Sequence, residues 1–267
     1  MQKKCNRIVT YDEIVEFNNL MRAYKNSKRK NSIPGADGVT PKEIDVPSKY
    51  VYQLYLDLIN KKYLPKEVLE QSVLKYDGTC MICFEILCFS DRIVQNAIKN
   101  KLLPLLNEIL YEGVCGYRGK KYKKRYYECI KFFWKNNYKY IVSFDIKHFF
   151  KSIDKNLLLK QLGEYCDEKV VRLIDQQLFR KTMEMPLGHI LSTLLSNFYL
   201  YDIDYAMYQK FGDFVRYGDN YIFPIKENLT MSKKIENELE KQLKTKKLEL
   251  NREKTMIISD YKDIGIL

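Results

Sequence analysis

Two short apolar segments, each interrupted by a single aspartate, constrain the fold more than any other feature of this sequence. The first, YIVSFDIKHFF, carries Asp145 near the end of a strand-like run, and the second, FVRYGDNYIF, carries Asp219 between two strand-like runs. Along the chain the pattern predicts a strand, helices, a hairpin, a helix and a strand, in that order. This order favours an α+β fold with an antiparallel sheet over a doubly wound parallel sheet.

Apolar periodicity predicts further elements around these strands. Helices are expected over residues 12–24, 50–61, 91–110, 157–161, 170–179, 191–207 and 232–247. The helix over 91–110 should kink or break at Pro104, and the one over 191–207 should be a single long helix. Thr230 or Ser232 should cap the helix over 232–247. Strands are expected over residues 138–146, and over 70–75 and 81–88 as a hairpin around Asp77-Gly78.

The charge balance bears on the partner. The chain has 46 Lys and Arg against 34 Asp and Glu, a formal charge of +12, which favours RNA, DNA or an anionic membrane surface. Codon bias in an AT-rich genome would enrich lysine as well. No apolar run approaches the roughly 20 residues that span a bilayer, and the start MQKKCNRIVTYDE lacks the apolar core of a signal peptide. We therefore expect a cytoplasmic protein without a membrane partner.

Seven cysteines are expected to be free thiols rather than a disulfide framework. Cys80 and Cys83 form a C-x-x-C that is followed by Cys88, which could indicate a zinc site. The two histidines lie far away in sequence, and the run is mostly apolar, so we favour cysteines that pack in a core.

A carboxylate at the end of a buried strand is a suitable ligand for a metal ion. Magnesium prefers hard oxygen ligands, and two ions roughly 3.5–4 Å apart can activate a 3′-hydroxyl and neutralise a leaving pyrophosphate. Asp145 and Asp219 are therefore candidate metal ligands. For either residue alone, an ordinary role at a strand end or turn is the competing interpretation.

The segments around both aspartates resemble reverse transcriptases, especially the bacterial and group II intron branch, and the resemblance covers nearly the whole chain. The matching blocks, in order, are NSIPGADGVT, SDRIVQNAI with LLP, FDIKHFFKSI (motif A), MPLGHILSTLLSNFYLYDID (motif B), YGDN (motif C) and LELNREKT (motif D). Six blocks in the right order are a far more specific signal than any one of them.

The resemblance implies a right-hand polymerase: an α+β palm with an antiparallel sheet and helices over residues 116–267, and an N-terminal extension with mostly helical fingers over residues 1–115. It implies RNA-directed DNA synthesis from dNTPs with Mg²⁺, or Mn²⁺ in its place. The expected partners are an RNA template or associated non-coding RNA and the nascent DNA. The setting would be a mobile element or a bacterial antiviral system.

Carried over by position, the resemblance assigns roles to individual residues. The resemblance implies that Asp145, Asp219, Asn220 and the Ile146 carbonyl bind the metal ions, and that Lys254 acts on the pyrophosphate. It implies that Phe150 is the steric gate against ribonucleotides. It also implies that Gly188, Ser192 and Asn197 contact the nucleotide and template. Lys254 could instead be one more surface charge. Phe149 is expected to pack in the core.

The sequence departs from the family pattern at three places. Asn220 stands where motif C has a second aspartate, which should weaken metal binding. The basic pair that grips the triphosphate falls on Cys80 and Met81, so Lys75 or another base must replace it. The sequence ends at KDIGIL, which resembles the primer grip and leaves no room for a complete thumb, so we expect a partner protein or a second copy to supply one.

These departures leave a second function open: a reverse-transcriptase-like subunit with weakened catalysis that binds RNA and scaffolds a partner polymerase. A viral-type RNA polymerase is a third and remote possibility, which the aromatic Phe150 disfavours.

The densest basic patch lies before motif A and alternates with tyrosines. Its members are Arg118, Lys120, Lys121, Lys123, Lys124 and Arg125. Positive charge binds a phosphate backbone and tyrosine rings stack on bases, so we expect this patch to contact RNA or template. A solvated loop is the ordinary alternative.

Overall fold

The computed structural model describes residues 7–28, 32–74, 81–136, 138–226 and 228–259. It confirms a mixed α+β fold with antiparallel sheets. The elements of the first part are α1 (Tyr11–Val15), α2 (Phe17–Ser27), α3 (Pro47–Ile59), β1 (Leu69–Leu74), β2 (Met81–Ile86) and α4 (Phe89–Ile109). Those of the second are α5 (Lys120–Lys135), β3 (Tyr140–Ile146), α6 (Phe149–Ser152), α7 (Lys155–Leu162), α8 (Glu168–Leu178), α9 (Ile190–Tyr199), α10 (Tyr201–Phe211), β4 (Val215–Tyr217), β5 (Asn220–Ile225), α11 (Thr230–Thr245) and β6 (Leu250–Ile258).

The described residues form two compact units, one within Ile109–Asp154 and Leu195–Leu267 and the other within Lys4–Glu108 and Lys155–Leu194. We call the first the sheet unit, because it contains strands β3 to β6, and the second the helical unit. The helical unit also contains the antiparallel hairpin of β1 and β2. Within the described residues, no helix has both the length and the apolar character needed to cross a membrane.

The sheet of the sheet unit is antiparallel with the strand order β4-β5-β3-β6. Strands β4 and β5 are joined by a two-residue turn, Gly218-Asp219, closed by the pair Tyr217 and Asn220. Gly218 has φ of +67°, a conformation that glycine adopts at no steric cost and that tight hairpins use. The turn therefore holds Asp219 at the tip of the hairpin, as the sequence predicts.

Helix α5 covers one face of this sheet. Its buried side chains Tyr126, Ile130 and Phe133 pack against Ile141 of β3, together with Val215, Ile222 and Ile258. Side chains alternate between faces along a strand. Asp145 therefore projects from the same face of β3 as Ile141, beyond the area that α5 covers.

Strand β6 is irregular where it passes Asp145. Its residue Met256 pairs with Ser143, but Asn251 pairs with Asp145, so β6 has extra residues between these two positions. Lys254 lies in this bulge. Bulges re-aim side chains and are common beside functional sites.

Several expectations about local structure are wrong. The single helix predicted over residues 191–207 is two helices that meet at Leu200, and the apolar pattern hides the break because Leu200 is itself fully buried. The helix predicted over residues 12–24 divides at Glu16. A kink or a break was expected at Pro104, and the break is wrong because α4 continues through this residue. Thr230 and Ser232 lie inside α11 rather than capping it; the Asn228 side chain accepts the Thr230 backbone N–H at 3.1 Å.

The cysteine prediction is confirmed in part. Cys88 is buried, but Cys83 is exposed, so the packing interpretation is wrong for Cys83. Cys80, Lys75 and the Asp77-Gly78 turn lie outside the described residues. Among the residues that are described, no group of three or more His, Cys, Asp or Glu side chains could hold a metal ion.

Candidate active site

Two carboxylates meet at one end of the sheet. Asp145 is near the end of β3 with a side chain that is 16% exposed, and Asp219 is half-buried at the β4–β5 turn. Burial, and next the negative charge of Asp145, raise the pKa of Asp219 above its usual value, while Lys254 and Arg216 act in the opposite direction. Two carboxylates that repel each other across a partly buried space form a site that a cation stabilises.

Lys254 and Asn251 of β6 are the neighbours of Asp145. The Asn251 amide nitrogen donates to Asp145 Oδ1 at 3.1 Å, which orients the carboxylate. Lys254 Nζ lies 3.8 Å from the same oxygen, and its side chain is 64% exposed. Only the lysine end of this pair is exposed, and an ion pair with a solvated partner at this distance adds little stability.

The Asn220 side chain is hydrogen-bonded to another protein side chain. Its side-chain Oδ1 accepts a hydrogen bond from Ser143 Oγ at 2.6 Å, and Ser143 is fully buried. This contact ties Asn220, the residue after the Gly218-Asp219 turn, to β3. Ile146, whose carbonyl is the other expected ligand, is buried and pairs with Leu250 of β6.

The donors at this end of the sheet fit magnesium. Asp145 and Asp219 supply hard carboxylate oxygens. Burial, and next the charge of Asp145, raise the pKa of Asp219, and a divalent cation beside both carboxylates would favour their charged forms.

Phe150 is half-buried, whereas Phe149 is buried in the core as predicted. The Phe150 ring meets the edge of the Tyr117 ring at a centroid distance of 6.5 Å. Tyr117 also lies against the Gly218-Asp219 turn: its Oη is 3.3 Å from the position that a Cβ would take at Gly218. Burial, and next the charge of Asp219, raise the pKa of Tyr117. Tyr117 is one of the tyrosines that alternate with the basic patch in the sequence, and the structure places it beside the turn that carries Asp219.

A buried ion pair lies beneath the turn, and sequence reasoning missed it. Arg216 of β4 and Asp204 of α10 are both fully buried. The guanidinium donates to both carboxylate oxygens, from Nε at 2.8 Å and from Nη2 at 2.6 Å. Tyr221 Oη donates to the same carboxylate at 2.9 Å. The only sequence signal was an arginine inside an otherwise apolar strand.

The remaining donors of Arg216 hold the Gly218-Asp219 turn. Arg216 Nη1 donates to the Gly218 carbonyl at 2.7 Å and to Asn197 Oδ1 at 2.9 Å. The Asn197 amide nitrogen in turn donates to the Gly116 carbonyl at 2.7 Å. Gly116 packs so closely that a Cβ there would lie 2.3 Å from the Gly218 nitrogen. Asn197 is thus buried, and its side chain is hydrogen-bonded to protein groups that hold the turn.

Gly188 and Ser192 belong to the helical unit. Gly188 is exposed with φ of +96°, and a Cβ there would lie 2.6 Å from the Glu85 carbonyl oxygen, so the position requires glycine. The next residue, His189, is buried. Its Nε2 lies 2.9 Å from Glu85 Oε2, and its Nδ1 lies 2.9 Å from Gln95 Nε2. Ser192 is buried.

The basic patch divides into exposed and buried members. Arg118 is buried, and its Nη1 donates to the Val114 carbonyl oxygen at 2.9 Å. Its guanidinium carbon lies 3.8 Å from the centroid of the Tyr122 ring. Arg125 Nη2 pairs with Glu112 at 2.7 Å. The exposed members are Lys120, Lys121, Lys123 and Lys124. They lie on the first turns of α5, so the patch is helical rather than a loop.

Comparison with known protein families gives one match. A family model described as "Reverse transcriptase (RNA-dependent DNA polymerase)" matches residues 74–267. No individual curated protein matches the sequence significantly.

Proposed function

The chain belongs to the reverse transcriptase family, and on that premise we propose that it is an RNA-directed DNA polymerase that uses two divalent metal ions. Members of this family act on a nucleic acid template with dNTPs and generally use divalent metal. The observation that carries the proposal is the convergence of Asp145 and Asp219, 74 residues apart in sequence, at one end of the β3–β6 sheet.

In this proposal Asp145 and Asp219 hold the metal ions, with the Ile146 carbonyl and Asn220 as further oxygen donors. When bound, the ions supply activation of the primer 3′-hydroxyl and neutralisation of the pyrophosphate. The Asn251 amide keeps Asp145 oriented, and the Arg216 guanidinium keeps the backbone of the Asp219 turn in place. Both contacts fix ligand geometry before substrate arrives, as preorganised sites require.

Lys254 is the proposed group that meets the leaving pyrophosphate. It is exposed and lies within 3.8 Å of Asp145, so its ammonium can leave this pair and donate a proton or a hydrogen bond to a phosphate oxygen. Its position in the β6 bulge supports this role.

Phe150 is the proposed sugar gate. A ring at this position would collide with a ribose 2′-hydroxyl, and Tyr117 backs the ring from one side. We expect Phe150→Ala to raise the incorporation of ribonucleotides relative to deoxynucleotides by about 10- to 200-fold, since one steric contact of this size is worth about 1–3 kcal/mol. The measurement is competition between labelled NTPs and dNTPs. Phe150→Tyr keeps the ring and should stay selective; equal selectivity of the alanine variant and the parent would remove Phe150 from the gate.

Asn220 is proposed to weaken the metal site because an amide carries no charge. We expect Asn220→Asp to lower the half-saturating Mg²⁺ concentration for dNTP incorporation by at least about threefold, because it adds a negative charge close to both carboxylates. The comparison is a magnesium titration of the parent and the variant. Mn²⁺ tolerates irregular ligand sets better, so the parent should gain more from Mn²⁺ than the variant.

Ser143→Ala is the matched control for Asn220. It releases the Asn220 oxygen from its 2.6 Å contact without adding charge, so its effect on half-saturation should be smaller. Identical half-saturation in the parent and Asn220→Asp would show that Asn220 does not act on the metal site.

The experiment that tests the function uses the protein purified with its co-expressed RNA. Labelled dNTPs are supplied with the bound RNA alone, and then with a defined RNA template and DNA primer. Template-dependent DNA synthesis supports the proposal. Incorporation of NTPs in place of dNTPs would contradict it and support an RNA polymerase.

A second candidate function is an RNA-binding subunit with weakened catalysis. Two observations favour it: the Asn220 oxygen is engaged by Ser143, and the exposed Met81 stands where the resemblance expects a basic residue for the triphosphate. This candidate predicts that Asn220→Asp does not restore incorporation to an inactive parent.

A further inference from the structure

Helix α5 presents a row of lysines on its outer face. The row consists of Lys120, Lys121, Lys124, Lys131 and Lys135, all exposed and spaced at helical intervals. Glu128 lies on the same face and pairs with Lys124 at 3.5 Å. We call this surface the lysine face; it extends past the basic cluster recognised in the sequence by two to three turns.

The lysine face has no packing role. The opposite side of α5, with Tyr126, Ile130 and Phe133, packs on the sheet. Lys120 and Lys124, and likewise Lys131 and Lys135, are four residues apart, and like charges at this spacing repel across a helix turn. A helix that keeps such a row gains stability when a polyanion neutralises it.

The lysine face starts beside the proposed active site. In the first half of α5, the Tyr126 ring packs against the ring of Tyr217, with 5.2 Å between the ring centroids. Tyr217 directly precedes the Gly218-Asp219 turn. In the second half, the Phe133 ring packs against the ring of Tyr138, with 5.7 Å between the ring centroids. Tyr138 lies just before β3 begins. The row therefore leads away from the carboxylates for about 22 Å, at 1.5 Å per residue, on the side of the sheet from which Asp145 projects.

We propose that the lysine face binds the phosphate backbone of the template–product duplex as it leaves the carboxylates; this inference rests on the proposed polymerase function. Lysines contact phosphates as point charges and do not read bases, which suits a product whose bases are already paired. About 22 Å corresponds to roughly six phosphates of one strand at 3.4 Å each. The exposed rings of Tyr127 and Phe132 lie at the two sides of the row and not between its lysines.

The test compares two triple variants of the full chain that change net charge equally. One replaces Lys124, Lys131 and Lys135 of the lysine face by Gln; the control replaces Lys234, Lys241 and Lys244 of α11, which are also exposed. Each triple includes one lysine in an intrahelical ion pair, Lys124 with Glu128 at 3.5 Å and Lys244 with Glu240 at 3.6 Å. Both are made in the Asp145→Asn background, so that binding is measured without synthesis.

Binding is measured by fluorescence anisotropy with a labelled RNA–DNA duplex and a labelled single-stranded RNA over a range of salt concentrations. For the duplex, we expect the lysine-face variant to lose at least about tenfold in affinity. The slope of log affinity against log salt concentration should become less negative by about 2 to 3, because each lost phosphate contact changes this slope by about 0.9. The control should stay within about twofold of the parent.

Three results would overturn the inference: equal losses in both triple variants, unchanged binding by the lysine-face variant, or a larger loss for single-stranded RNA than for the duplex. The outcome is separable from the proposed function. A parent that synthesises no DNA while the lysine-face variant still loses duplex affinity would refute the polymerase and leave the binding surface standing. A parent that synthesises DNA while the variant binds as before would refute the binding surface alone.

Discussion

Replacing Asp145 or Asp219 by asparagine is expected to lower dNTP incorporation by about 1,000-fold or more, since each loss of 1.36 kcal/mol of transition-state stabilisation is tenfold in rate and a catalytic metal supplies several kcal/mol. Asparagine keeps the shape of the side chain and one oxygen but removes the charge that holds the cation. The measurement is single-turnover incorporation of labelled dNTP at saturating Mg²⁺.

The stability of the Asp219→Asn variant separates a lost ligand from a lost fold. Burial and Asp145 raise the pKa of Asp219 in the folded protein, so ionising it opposes folding. Its contribution is most favourable to folding below the unfolded-state pKa and is lost as pH rises through the raised folded-state pKa. At neutral pH without metal, Asp219→Asn should therefore be at least as stable as the parent in thermal unfolding.

Glu253→Gln is the control for both aspartates, because Glu253 is an exposed carboxylate in the β6 bulge next to Lys254. It removes the same charge nearby and should leave incorporation within about twofold, since surface charges contribute little. An Asp145→Asn or Asp219→Asn protein that is folded and as active as the parent would exclude that residue as a metal ligand.

Replacing Arg216 by methionine is expected to lower the free energy of unfolding by about 3–5 kcal/mol, because it leaves the fully buried Asp204 carboxylate without its cation. The Gly218 and Asn197 oxygens would lose their donor as well. Urea denaturation followed by circular dichroism measures the loss, with equal slopes in parent and variant as the condition for comparison.

Two further variants define the cause of that loss. Adding Asp204→Leu and Tyr221→Phe to Arg216→Met removes the buried charge and the hydroxyl that donates to it, and it should recover part of the stability, since apolar groups often replace buried ion pairs without cost. Arg172→Ala breaks the exposed pair with Glu168 and should cost no more than about 1 kcal/mol. An Arg216→Met variant as stable as Arg172→Ala would show that the network does not hold the turn.

The sequence by itself determined the fold class and the position of the two carboxylates. Apolar runs with a period of two predict strands, and a Gly-Asp pair between two such runs predicts a tight turn, so the hairpin that carries Asp219 follows from local preferences alone. The same reasoning failed for α9 and α10. Their junction at Leu200 is apolar and fully buried, and no local signal such as Gly or Pro marks it.

Only the tertiary structure decided which groups surround the carboxylates. Ser143 and Asn220 meet across 77 residues of chain, and Asn251 reaches Asp145 across 106. The bulge that brings Lys254 to Asp145 arises from the register between β3 and β6, which periodicity does not encode. A periodic pattern reports which side of an element is buried; the identity of the partner on that side depends on how distant segments pack.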